Sequence, residues 1–172
     1  MIATLRLDGW LPRRENRAVS KLIPAATERD LRQVRELFRE YQRWVDEPCC
    51  FASFEQELAG LPGEYGPPGG RLLLALADGM PAGCVALRPF DSGRSEMKRL
   101  YVRPAFQGQG LGKRLAQAAI EAARATGCHT LLLDTLPKMA SAIALYGALG
   151  FARRGAYSSQ PTPGALFFEL RL

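Results

Sequence analysis

The stretch Arg103 to Gln117, RPAFQGQGLGKRLAQ, sets glycine at 108, 110 and 112 and then runs straight into a helical pattern. Leu111, Leu115, Ala118, Ala119 and Ala122 share one face, Lys113, Arg114, Glu121 and Arg124 lie off it, and Gly127 stands where a helix would stop. The segment just before it, SEMKRLYV, reads as a strand. A strand that delivers into a helix through bare backbone leaves unpaired N–H groups and a partial positive charge at the helix start. Glycines there remove bulk and permit unusual dihedrals, so the amides from Gln107 through Gly108, Gln109, Gly110, Leu111 and Gly112 to Lys113 can converge on an anion. Lys113 and Arg114 add formal charge, and the stretch reads as a pyrophosphate cradle. The competing reading is a turn that needs glycine only for tight strand-to-helix packing. Two other phosphate motifs fail on spacing: a P-loop needs Gly at Gln107 and Ser or Thr at Arg114, and a dinucleotide fingerprint needs Gly at Lys113.

Around this turn the chain alternates strands and helices. A short strand near Lys21 leads to Thr27, a plausible N-cap with Asp30 three residues on, and then to Leu31, Val34, Leu37, Phe38, Tyr41, Trp44 and Val45 at helical spacing. Ser53 with Gln56 suggests a second capping box, and LPGEYGPPGG after it is a loop. RLLLALADGMPAGCVALRPF reads as two strands joined at Asp78 and Gly79. TLLLD is a buried strand, a last helix spans Met139 to Leu149, and FARRGAY and ALFFELRL close the chain as strands. A meander followed by a right-handed strand-helix-strand crossover predicts an α/β fold of the α+β type, with one mixed, mostly antiparallel sheet flanked by helices. Residues 1–20 carry no periodicity and read as an extension; residues 21–172 form one domain.

Composition narrows the function classes. A chain of 172 residues with 47% hydrophobic content can bury a core without staples. Cys49, Cys50, Cys84 and Cys128 fit no paired ligand spacing and His129 has no second histidine, so no metal is expected. No apolar run approaches a span of about 20 residues and no leader pattern opens the chain, which predicts a soluble, cytoplasmic protein without a membrane partner. The formal charge of +6 is scattered among acids rather than striped, which favours a phosphorylated small molecule over nucleic acid as partner.

EMKRLYVRPAFQGQGLGKRLA resembles the acetyl-CoA motif of the GNAT superfamily of N-acetyltransferases, whose Gln/Arg-x-x-Gly-x-Gly/Ala signature is met by Gln107, Gly110 and Gly112. LDTLPKMASAIALYGALGF is similar to that family's following strand and its tyrosine-bearing helix, and the resemblance covers roughly Ile23 to Leu172. It implies a V-shaped splay between two central parallel strands, Glu96 to Val102 and Thr130 to Asp134. Acetyl-CoA would be the acetyl donor, its pantetheine arm lying in the splay against the backbone of Leu100, Tyr101 and Val102, its pyrophosphate on Gln107 to Lys113. Many members carry an Asn near the start of the later helix; PKMASAIALY has none, leaving Lys138 or Ser141 as substitutes. The acceptor would be a small-molecule or peptide primary amine, its pocket built from about Tyr41 to Pro68 and Tyr157 to Phe168, and the protein could form a homodimer. Asp46, Glu47, Glu55, Glu57 and Glu64 make the first of these segments acidic, which suits a cationic amine or equally a solvated helix face.

Acyl transfer to an amine poses two proton problems. An amine with a pKa of about 10.4 is mostly protonated at neutral pH, and a departing thiolate, near 8.5 in a model thiol, prefers a proton. Glu96 is the candidate base because it begins the splayed strand, and period two would put it on the face of Lys98, Leu100 and Val102; the competing role is a strand-end charge paired with Lys98 or Arg99. Tyr146 is the candidate acid, since the resemblance places the tyrosine of ALYGALGF beside the thioester sulfur; the competing role is an amphipathic core tyrosine. Direct transfer in a ternary complex is the expected course. A non-catalytic acyl-CoA-binding or regulatory module on the same fold is the alternative.

Overall fold

A computed structural model of the protein describes residues 19–47, 53–159 and 161–172. Seven strands form one sheet in the order β1-β2-β3-β4-β5-β7-β6. These are β1 Val19–Pro24, β2 Arg71–Ala77, β3 Met80–Asp91, β4 Arg94–Val102, β5 Thr130–Thr135, β6 Ala152–Arg154 and β7 Leu166–Arg171. Every neighbouring pair is antiparallel except β4 and β5, which run parallel as the sequence predicts for a crossover. The strand β1 starts at Val19, so two residues assigned to the extension belong to the sheet, while 1–18, Cys49 and Cys50 lie outside the described residues.

Local signals position the helices. The N-terminus of α1, Glu28–Val45, is closed by the predicted capping box: the Asp30 N–H donates to Thr27 Oγ1 at 3.2 Å and the Thr27 N–H to Asp30 Oδ2 at 3.0 Å. The second expected box is absent, because Ser53 precedes α2, Phe54–Ala59, without a side-chain cap bond. The strands β2 and β3 turn at Asp78 and Gly79, whose φ values of +50° and +76° are those a two-residue I′ hairpin requires. The crossover helix α3, Leu111–Ala125, packs Leu111, Leu115, Ala119 and Ala123 on one sheet face, and α1 and α2 pack Val34, Leu37, Phe38, Phe54 and Leu58 on the other. The last helix, α4, spans Ala140–Ala148.

The central strands shape the site. The parallel ladder holds only Arg94, Ser95 and Glu96 against Thr130, Leu131 and Leu132. Beyond it β5 stays with β7 and β4 stays with β3, so the two strands part into the expected V. The strand β4 also carries one extra residue between Lys98 and Tyr101, where β3 offers Ala86 and Cys84, and Arg99 takes up the bulge at φ +56°. Just past the bulge, opposite Val102, Gly83 is obligatory, since a Cβ there would lie 2.6 Å from the Tyr101 carbonyl oxygen.

That bulge overturns one expectation. Met97, Leu100 and Val102 pack toward α3, whereas Tyr101 joins the α1 side and Arg99 reaches Glu57 of α2. Lys98, across the sheet from Met97, shares a face with Glu96 and reaches its carboxylate. Simple alternation through the bulge fails, so Glu96 and Lys98 do not share a face with Leu100 and Val102.

Candidate active site

The parting of β4 from β5 opens a cleft of about 660 Å³. One wall is β4 from Met97 to Val102 and the glycine turn, the other is Asp134 to Leu136 and the start of α4, and Tyr41 and Trp44 of α1 stand at its side. At the turn, Gly108 and Gly110 have φ of +74° and +76°, a region in which side chains are strained, and a Cβ on either would meet nothing within 4 Å. The glycines answer a backbone requirement and leave open space, rather than relieving a packing clash. The first amide of α3 bonded along the helix is Arg114, to the Gly110 carbonyl at 3.1 Å, so the N–H groups of Leu111, Gly112 and Lys113 precede the ladder, at the rim of the cleft. A Cβ on Gly112 would sit 3.7 Å from Leu145 of α4 and 3.9 Å from Val102, between the two cleft walls.

The residues singled out in the sequence assemble here with two exceptions, Gln109 and Glu96. Leu100, Tyr101, Val102, Gln107, Gly108, Gly110, Leu111, Gly112, Lys113, Ser141 and Tyr146 all line the cleft, while Gln109 does not and turns its amide toward the Ala105 carbonyl at 3.4 Å. Gln107 donates from Nε2 to the Val102 carbonyl at 2.9 Å, which ties the turn to the end of β4. Both substitutes for the missing Asn, Ser141 and Lys138, line the cleft, and Lys138 also donates to the Val45 carbonyl at 2.5 Å and pairs with Glu47 at 3.2 Å. Lys138 is thus a tether between α1 and the start of α4.

Tyr146 is buried, and its ring packs against Phe151 and Phe168 at centroid distances of 5.7 and 6.2 Å. Burial first, then the nearby Tyr41 and the negative charge of Asp134, push its phenol well above the ordinary value. It keeps its proton at every pH the protein would meet, with its side chain on the cleft.

Glu96 is placed differently. It is 3% exposed and is not among the residues that line the cleft. Arg88 approaches Oε2 with Nε at 2.7 Å and a second nitrogen at 2.6 Å, the Tyr157 hydroxyl donates to Oε1 at 2.7 Å, and Lys98 stands 3.5 Å from the same oxygen. Burial alone would raise the carboxyl, but Lys98, Arg88 and Tyr157 outweigh it and hold Glu96 below the usual glutamate range. A depressed carboxylate with both oxygens engaged behaves as the hub of a charge network. Pairing by Lys98 agrees with the strand-end reading; Arg88 and Tyr157, neither adjacent in sequence, are the partners that reading lacked.

Most acids of the first segment are also paired. Glu57 takes a two-point contact from Arg99 at 2.9 and 2.6 Å, Glu64 pairs with Arg88 at 2.7 Å, Glu55 with Arg39 at 3.2 Å and Glu47 with Lys138. Asp46 closes the C-terminus of α1 in a left-handed conformation. Four of the five acids are thus paired with cations of the protein itself. One carboxylate that the sequence reading passed over, Asp134 at the end of β5, does face the cleft. Only the departure of β4 uncovers it, and nothing in TLLLD announces that.

The model of the Acetyltransferase (GNAT) family matches residues 31–151. An uncharacterized N-acetyltransferase of Schizosaccharomyces pombe is 36% identical over 145 residues, covering 83% of this chain and 89% of that protein. Among solved structures, an acetyltransferase from Streptococcus agalactiae superposes with TM-score 0.75 at 19% identity, over 88% of this chain and 98% of that one. A GNAT family acetyltransferase from Elizabethkingia anophelis, solved with acetyl-CoA bound, superposes with TM-score 0.53 at 22% identity, over 59% of this chain and 76% of that one.

Proposed function

This chain belongs to the acetyltransferase (GNAT) family, and on that premise we propose that it moves an acetyl group from acetyl-CoA to a primary amine by direct transfer in a ternary complex. The observation that carries the reading is the cleft itself: parted strands, a glycine turn whose leading amides are free to converge, and a buried phenol on the opposite wall. The residues fit acetyl-CoA, the molecule bound to the Elizabethkingia relative, because bulk is missing at Gly108 and Gly110 where a pyrophosphate would approach, and Lys113 brings charge to the same rim. When bound, acetyl-CoA supplies the acetyl group as a thioester.

The chain's own residues do the rest. Leading amides of α3 and Lys113 hold the anionic end, and β4 beyond Glu96, with no strand beside it on the β5 side, offers backbone groups to an extended arm. The Tyr146 hydroxyl keeps its hydrogen and donates it to sulfur as the carbon–sulfur bond breaks and the carbon–nitrogen bond forms. Among the described residues the cysteines are Cys84, with no exposure and a thiol pushed up by burial, and Cys128, whose thiol donates to the Thr130 carbonyl at 3.0 Å; neither lines the cleft, which supports direct transfer over an acyl-enzyme on either of them. The test is thiol release from acetyl-CoA across a panel of primary amines. Intersecting initial-rate lines are expected. Tight acetyl-CoA binding with no thiol release from any amine would overturn transfer in favour of a binding module.

A further inference from the structure

Glu96 leaves the cleft without a carboxylate for the acceptor amine, and Asp134 supplies one. It sits on β5 opposite Phe167 of β7, two residues past Leu132, the last residue that β4 covers. Its side chain is 28% exposed and lines the cleft. Among the described residues its ion pair is a single contact with Lys98 at 3.5 Å, well beyond the roughly 2.7–2.9 Å of a charge-assisted hydrogen bond. Neighbouring carboxylates are held closer: Glu96 by Arg88 at 2.6 Å, Glu57 by Arg99 at 2.6 Å and Glu40 by Arg103 at 2.7 Å. The groups around Asp134 are Lys98 of β4, with Glu96 behind it, and the hydroxyls of Tyr146 on α4 and Tyr157, both of which feel its negative charge. The carboxylate therefore shares the end of the cleft where Tyr146 stands.

We propose that Asp134 is a catalytic residue that binds the acceptor's ammonium and takes a proton from its nitrogen as the new carbon–nitrogen bond forms. This rests on the amine acetyltransferase reading above. An ammonium has no lone pair, so the bound acceptor first loses one proton to water and reacts as the free amine; only once that nitrogen bonds to the carbonyl carbon does its next proton become acidic enough for a carboxylate to take. The balance closes. An ammonium carries three N–H bonds and the amide product one, so two protons leave. One leaves to water before the nitrogen attacks; the other passes to an Asp134 Oδ as the carbon–nitrogen bond forms and from there, through water, replaces the proton that Tyr146 gives to the sulfur, which departs with the electron pair of the carbon–sulfur bond. The Lys98 ammonium, 3.5 Å from Asp134, gives way to the acceptor and takes up the same pairing again after each turnover.

The experiment compares Asp134→Asn, Asp134→Ala and Lys98→Met with the parent protein, using phenethylamine, putrescine, L-methionine and a tripeptide as acceptors. Asp134→Asn is expected to lose about 10²-fold or more in kcat/KM with acetyl-CoA affinity, read by calorimetry, within about twofold of the parent. Lys98→Met, which removes the ion pair but keeps the carboxylate, should retain at least about a tenth of parental kcat/KM, and added formate should partly restore Asp134→Ala. Parent-like turnover by Asp134→Asn overturns the proposal, as do equal losses in Asp134→Asn and Lys98→Met without formate rescue, which would mark the pair as structural. A parent that turns over none of the amines fails at the earlier step, overturning the transferase reading and this inference together.

Discussion

Replacing Glu96 with glutamine separates a charge hub from a base. The substitution keeps the shape but removes the charge that Arg88, Lys98 and the Tyr157 hydroxyl converge on. Deleting one partner of a buried ion pair costs about 3–5 kcal/mol because the other charge is stranded. Here the cost is smaller, since Arg88 is 28% exposed and retains Glu64 at 2.7 Å, and Lys98 retains Asp134. We expect Glu96→Gln to lower the unfolding free energy by about 2–3 kcal/mol at pH 7. The pH dependence has a definite sign. The folded carboxyl lies below its unfolded value of about 4.3, so its stabilisation is complete above that value and is lost as pH falls through the lower, folded one. Urea unfolding of parent and variant between pH 7 and pH 3 should show the gap intact near pH 5 and closing below about pH 4. Turnover, measured at a temperature where both remain folded, should fall by less than about tenfold with an unchanged pH profile. A gap under about 0.5 kcal/mol at pH 7 would refute the hub. A turnover deficit concentrated near neutral pH, in a stable variant, would restore Glu96 as the base.

Three further outcomes follow from the cleft. Gly110→Val places a branched side chain at φ +76° on the cradle; it should remain folded, since a Cβ there meets nothing within 4 Å, yet lose acetyl-CoA affinity by more than about tenfold in a calorimetric titration. Tyr146→Phe should cut kcat by about 10²-fold to 10⁴-fold while calorimetric acetyl-CoA affinity stays near the parent's. Gly83→Ala forces a Cβ to 2.6 Å from the Tyr101 carbonyl oxygen, so chemical unfolding should show a loss of about 1–3 kcal/mol, and acetyl-CoA binding should weaken because the bulge that shapes β4 is disturbed.

Much of the fold was legible because its signals are local. Thr27 with Asp30 closes α1, Asp78 with Gly79 turns a hairpin, and the alternating glycines before Leu111 mark a strand-to-helix turn with open space for a ligand; in each case a few bonds within four residues decide the conformation. The order of strands and helices around the crossover followed from those elements and from the handedness of the connection. What the sequence could not disclose depends on partners far along the chain. The extra residue at Arg99 is held by Glu57 on α2, with Gly83 of the neighbouring strand accommodating the close approach of Tyr101 beside it, and it reverses which side chains of β4 face α3. The acids of the first segment look like a pocket for a cationic amine until Arg88 and Arg99, 24 and 42 residues away, are found on Glu64 and Glu57. Glu96 looks like a cleft carboxylate until Arg88 and Tyr157 cover it, and Asp134 looks like the end of a buried strand until β4 leaves β5 after Glu96. Periodicity and capping act through neighbouring backbone, so the chain carries them by itself; pairing of charges and the uncovering of a strand end depend on surfaces that exist only once the sheet has closed.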